Sequence, residues 1–130
     1  MTPFGESLEI LRSSRNLTQV QLATKAGITS NYLSMLERGV KGPPAAKTLD
    51  SIIDVLGLDE EEKKSLLYDA QLAQFTLRIP PSASRDEYEM VCKLQKHLGT
   101  LTSKQVQLIE LAMTITGSIR RLVGDTKMKT

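Results

Sequence analysis

The chain has 130 residues, 40% apolar and 25% charged, the composition of one globular domain or of a small domain with an appendage. One Cys and one His exclude an intrachain disulfide framework, a Cys-rich zinc site and a multi-His metal site, and no apolar run approaches the ~18–20 residues of a membrane span. Net charge is +2, from 17 basic and 15 acidic residues, too balanced by itself to announce a polyanionic partner, and an aromatic content of 4% without Trp leaves the core to aliphatic side chains.

In chain order, Thr2-Pro3 reads as an N-cap followed by Pro at the first helical position, and Phe4, Leu8 and Leu11 mark one face of a helix ending near Asn16. Thr18 and Gln21 have capping-box spacing, and Leu17 and Leu22 the spacing of a hydrophobic staple, so a second helix starts at once. It is short, because Gly27 stands where a left-handed residue ends a helix. Thr29 caps a third helix, which turns Leu33 and Leu36 inward and stops at Gly39. After a loop with Gly42, Pro43 and Pro44, a fourth helix over about 45–56 buries Leu49, Ile52, Ile53 and Leu56. The acidic run Asp59–Glu62 complements the dipole of a fifth helix reaching about Phe75. Pro80-Pro81 places a linker at 76–83. Boxes at Ser84 with Glu87 and at Thr102 with Gln105 open two more helices, to about Leu98 and about Val123. No strand-like alternation occurs, so the fold is expected to be all-α.

The informative feature is the pair of short helices around Gly27. Ala23 is small enough for the two to approach closely. With Leu33 and Leu36 inward, the outward residues at the start of the third helix are Ser30, Asn31 and Ser34, small hydrogen-bonding groups where an idle surface helix would carry Lys and Glu. Such side chains suit the DNA major groove, where they read base edges. The alternative at this level is a helical hairpin inside an unrelated bundle.

The segments Leu17-Thr18-Gln19, Leu22-Ala23, Ala26-Gly27-Ile28-Thr29, Tyr32-Leu33-Ser34 and Leu36-Glu37-Arg38-Gly39, continued by Thr48-Leu49 and Leu56-Gly57, resemble the Xre/Cro-type helix-turn-helix repressors over about residues 4–58. The resemblance implies a compact five-helix, lambda-repressor-like DNA-binding domain. It implies that Thr29, Ser30, Asn31, Ser34 and Met35 face the groove. Asn31 is the best base reader, because a carboxamide can pair with adenine N6 and N7. Met35 departs from the polar residue common at its position and could touch only apolar groups such as a thymine methyl. Thr18, Gln19, Tyr32, Arg38, Lys41 and Lys47 are assigned to the DNA backbone, where contacts position without specifying; Gln19 also matches a residue that braces the recognition helix, and Tyr32 has a core role as the alternative. Arg12 and Glu37 match a family pair that forms an internal salt bridge, which would keep the carboxylate of Glu37 from repelling phosphates.

Charge is unevenly spread: residues 1–58 carry 6 basic and 5 acidic side chains, 59–77 carry 2 and 5, and 78–130 carry 9 and 5. The expected organisation is a DNA-binding domain at 1–75, the linker, a helical region at 84–124 and a tail at 125–130. Leu108, Leu111, Ala112, Ile115, Ile119 and Leu122 form an apolar stripe wider than one partner helix needs. It serves either intramolecular packing or homodimerisation, and dimerisation is favoured because one helix-turn-helix contacts few base pairs, whereas a two-fold dimer reads two half-sites ~34 Å apart. Cys92 is expected to be a core thiol and His97 a surface cation near a helix C-terminus; Arg120-Arg121 is read as solvated. No Ser/His/Asp, metal-ligand or phosphate-loop arrangement suggests an enzyme or a cofactor. The expectation is a soluble, cytoplasmic DNA-binding repressor that occupies a palindromic operator as a homodimer. The alternative is a DNA-binding antitoxin whose C-terminal half masks a toxin or another regulatory protein.

Overall fold

The structure, a computed structural model, describes residues 2–115. They form seven α-helices and no strand. The chain divides into two compact units, Met1–Leu77 and one beginning at Arg78.

In the first unit α1 (Pro3–Ser14) starts on Thr2, whose hydroxyl oxygen accepts the Gly5 N–H. It ends where Asn16 turns left-handed at φ 56°, a conformation that Asn tolerates better than most residues. α2 (Gln19–Ala26) begins on the reciprocal box of Thr18 and Gln21. Gly27 closes it at φ 75°, where any side chain would be strained. Its N–H and that of Ile28 then satisfy the last carbonyls of the helix. Two residues later α3 (Ser30–Arg38) starts, with Thr29 accepting from the Tyr32 N–H. α4 (Ala46–Leu56) has no side-chain cap. α5 (Glu60–Gln74) does: the box joins Asp59 and Glu62, inside the acidic run read from sequence as a dipole complement.

α1 packs on α3 and α5, and α2 on α3 and α4. Phe4, Leu8, Leu22, Leu33, Leu36, Ile52 and Leu66 are fully buried at the centre. Each such side chain is worth ~1.5–3 kcal/mol of hydrophobic transfer, so five short helices hold one another where none would persist alone. α1 meets the end of α3 through Gly5. A Cβ there would stand 2.5 Å from the Glu37 carbonyl oxygen and 2.7 Å from that of Leu36. At the other end of α1, Arg15 donates from Nε to the Leu56 carbonyl and from Nη2 to Glu62 Oε1 at 2.8 Å, tying α1 to the end of α4 and the start of α5.

The second unit contains α6 (Arg85–His97) and α7 (Ser103–Thr114), each opened by a capping box, Ser84 with Glu87 and Thr102 with Gln105. Neither helix buries a residue. One expectation needs correction here. Cys92 is exposed rather than a core thiol, because this pair of helices encloses no interior. The described part of α7 ends at Thr114, with Ile115 at ψ 74°; the remainder of the expected helix, to about Val123, lies outside the described residues. Ile119, Leu122, Arg120-Arg121 and the tail at 125–130 lie outside the described residues.

Candidate nucleic-acid interface

The interface is built on the α2–Gly27–α3 turn. Ala23, 1% exposed, and the fully buried Leu22, Leu33 and Leu36 seat α3 against α2. That fixes the rotation of α3 and so decides which residues face outward. Ser30 and Asn31 are exposed, and among the described residues neither side chain has a hydrogen-bond partner. Thr29 is exposed; its oxygen is taken by the Tyr32 N–H, which leaves its hydroxyl proton to donate. Ser34 and Met35 are half-buried one turn further along, and Ser34 Oγ accepts from Arg38 Nε at 3.3 Å.

Glu37 would spoil such a surface if it faced out. It is 2% exposed instead, the one charged residue among those described that is buried. Its carboxylate receives Arg12 Nε at 2.7 Å and Arg12 Nη2 at 3.0 Å, a two-pronged contact that fits a guanidinium to a carboxylate. Gln19 Nε2 adds a third donor at 3.1 Å, and Arg12 Nη1 reaches the Leu17 carbonyl at 2.8 Å. The hydrogen bond from Arg12 to Glu37 is the main reason the guanidinium is held above its ordinary pKa, the carboxylate charge adding to it and burial opposing it. This cluster joins α1, the entry to α2 and the end of α3. The resemblance implies that Gln19 both contacts the DNA backbone and braces the recognition helix, and its bond to Glu37 on α3 is a brace of that kind.

With Glu37 neutralised internally, residues 17–44 contain no other acid, and their remaining charges are Lys25, Arg38 and Lys41, all exposed. Lys47, near the start of α4, is exposed as well. The Lys41 N–H is spent on the Met35 carbonyl at the end of α3, so only its side chain can reach a ligand. Tyr32 is half-buried and packs on the core. The result is a small polar surface with open donors and acceptors, flanked by cations and free of exposed carboxylates.

A family pattern described as Helix-turn-helix matches residues 8–63. The chain is also 32% identical over 110 residues to the HTH-type transcriptional repressor RghR of Bacillus subtilis, covering 85% of this chain and 76% of that protein. The chain belongs to the Xre-type helix-turn-helix repressor family. Within this family it is 25% identical over 126 residues to the immunity repressor protein of Bacillus phage phi105, covering 95% of this chain and 86% of the phage protein. It is 31% identical over 72 residues to the HTH-type transcriptional regulator SinR of Bacillus subtilis, covering 52% and 65% of the two chains. No solved structure matches it significantly. The helix-turn-helix of this family member is the α2–α3 pair, and the all-α architecture around it is lambda-repressor-like.

Proposed function

We propose that this helix-turn-helix protein represses transcription in the cytoplasm by occupying a palindromic operator as a homodimer. α3 lies in the major groove, with Thr29, Ser30 and Asn31 towards base edges, Ser34 on the groove side one turn further along and Met35 towards apolar groups. Thr18, Gln19, Tyr32, Lys41 and Lys47 line the sugar–phosphate backbone. The observation that carries this reading is the inward turn of Glu37 onto Arg12, which clears the outward face of α3 of negative charge while leaving Ser30 and Asn31 unpartnered. Buried polar groups need partners, but exposed ones with none are available to a ligand.

The second copy is the subject of the other half of the proposal. Leu108 is 64% and Leu111 51% exposed on α7, and Ala112 and Ile115 are exposed beside them. Two copies joined through this face present two α3 helices to two half-sites.

The test is selection of preferred duplexes from a random DNA pool by the purified full chain at about 150 mM salt, where non-specific phosphate binding is suppressed. A two-fold symmetric motif with half-sites about one helical turn apart is expected. Asn31→Ala should relax one symmetric pair of positions at a cost of ~1–3 kcal/mol each. Enrichment of an asymmetric motif would refute the palindrome, and no enrichment would refute operator binding.

A further inference from the structure

Arg38 occupies the last turn of α3. A cation there is normally assigned to a phosphate at the edge of the groove. The side chain does not extend that way. Its Nε donates to Ser34 Oγ, one turn back along the helix. Side chains on an α-helix tilt towards the N-terminus and cover the turn before their own Cα, so this bond lays the guanidinium along α3. Ser30, Ser34 and Arg38 follow one another at four-residue spacing, with Asn31 beside them; Ser30, Asn31 and Arg38 are exposed, and Ser34 is half-buried at the edge of the face that holds Leu33, Leu36 and Glu37. The guanidinium therefore lies in the row of groove-facing residues.

Its remaining chemistry is open. Nε is used by Ser34, and neither Nη1 nor Nη2 has a hydrogen bond or ion pair among the described residues. Glu37, the adjacent carboxylate, is held by Arg12 and Gln19. Two coplanar N–H donors at the end of a buttressed side chain match the O6 and N7 acceptors of guanine in the major groove. Resting on the operator-binding reading above, we propose that Arg38 is a base reader selecting guanine, and that Ser34 is its positioning residue rather than an independent reader.

The experiment repeats the pool selection with the full-length wild type, Arg38→Ala, Arg38→Lys and Ser34→Ala, and measures affinities for the selected duplex and its single-base variants across salt concentrations. Arg38 is exposed, and the half-buried Ser34 bonds through its hydroxyl to Arg38 alone among the described residues, so the variants should keep the wild-type melting profile. The wild-type motif should contain one guanine per half-site whose replacement costs roughly ten- to a hundred-fold in affinity. Arg38→Ala should lose that preference alone and keep the rest of the motif. Arg38→Lys keeps the charge but not the planar fork, so it should retain the salt dependence and lose most of the guanine preference. Ser34→Ala should weaken discrimination at the same base pair. An intact motif with Arg38→Ala, binding weakened equally on all sequences and a salt slope reduced by about one would make Arg38 a phosphate contact and overturn the proposal alone. Loss of discrimination at a different base pair in Ser34→Ala would overturn the coupling of the two residues. A pool left unenriched by the wild type would overturn the operator reading together with this one.

Discussion

Arg12→Ala should be among the most damaging single substitutions outside the apolar core. It removes three hydrogen bonds at once, two to the Glu37 carboxylate and one to the Leu17 carbonyl. The carboxylate left behind is 3% exposed at its side chain and keeps only the Gln19 amide as a donor. Breaking a buried pair from one side costs ~3–5 kcal/mol, most of it the cost of a stranded charge. The Arg12 side chain is itself 13% exposed, so water can enter the space it vacates, and the lower end, about 3 kcal/mol, is the expected loss. For a unit of this size that is a fall in Tm on the order of 12–24 °C. Urea denaturation followed by helical circular dichroism would read it as a lower midpoint at unchanged slope. Arg12→Met combined with Glu37→Leu removes both charges, so it should recover most of the loss. Arg12 is held above an already high pKa, so the stability that its charge contributes is present at every working pH and lost only above the guanidinium range. The Arg12 charge therefore adds no pH dependence of its own near neutrality. A single variant with the wild-type midpoint and Tm would refute the reasoning, because the carboxylate would then not depend on Arg12.

Two further outcomes can be checked independently. Gly5→Ala should lower Tm despite alanine's better helix propensity: the new Cβ meets the Leu36 and Glu37 carbonyl oxygens, and overpacking of ~1–3 kcal/mol outweighs a propensity gain of about 1 kcal/mol, so a raised Tm would mean that α1 and α3 do not approach this closely. Leu108→Glu with Leu111→Glu should give monomers by sedimentation velocity and weaken operator binding while leaving the melting of the first unit intact; a persistent dimer would place the interface elsewhere.

The parts of the fold legible in the sequence are those whose cause lies within one helical turn. Thr18 with Gln21, Thr29, Ser84 with Glu87 and Thr102 with Gln105 act over two or three residues, and their spacing is visible by inspection. The box of Asp59 and Glu62 has the same spacing, but it is hidden inside a run of four acids whose charge draws the eye. Arg15 carries no such sign. Its partners, Leu56 and Glu62, lie 41 and 47 residues away, and only the packing of α1 on α5 brings them within reach. The bonds from Gln19 to Glu37 and from Arg38 to Ser34 likewise require the rotation of α3 to be known. Gly5 looks like a weak point in an amphipathic helix until the α3 carbonyls are set against it. In the second unit an apolar stripe was legible, but its depth was not: periodicity shows which side of a helix is apolar and is silent on whether anything covers it, so Cys92 was expected inside and lies outside.

The absence of any buried residue in α6 and α7 bears on how the protein would operate in a cell. A pair of helices with no interior has little to oppose its conformational entropy, so in the dimer proposed above its ordering and the pairing of chains become a single equilibrium. The operator-competent species then grows with the square of chain concentration while monomers predominate. A promoter under such control stays open through small fluctuations in synthesis and closes abruptly once supply outruns dilution by growth, a threshold set outside the helix-turn-helix itself.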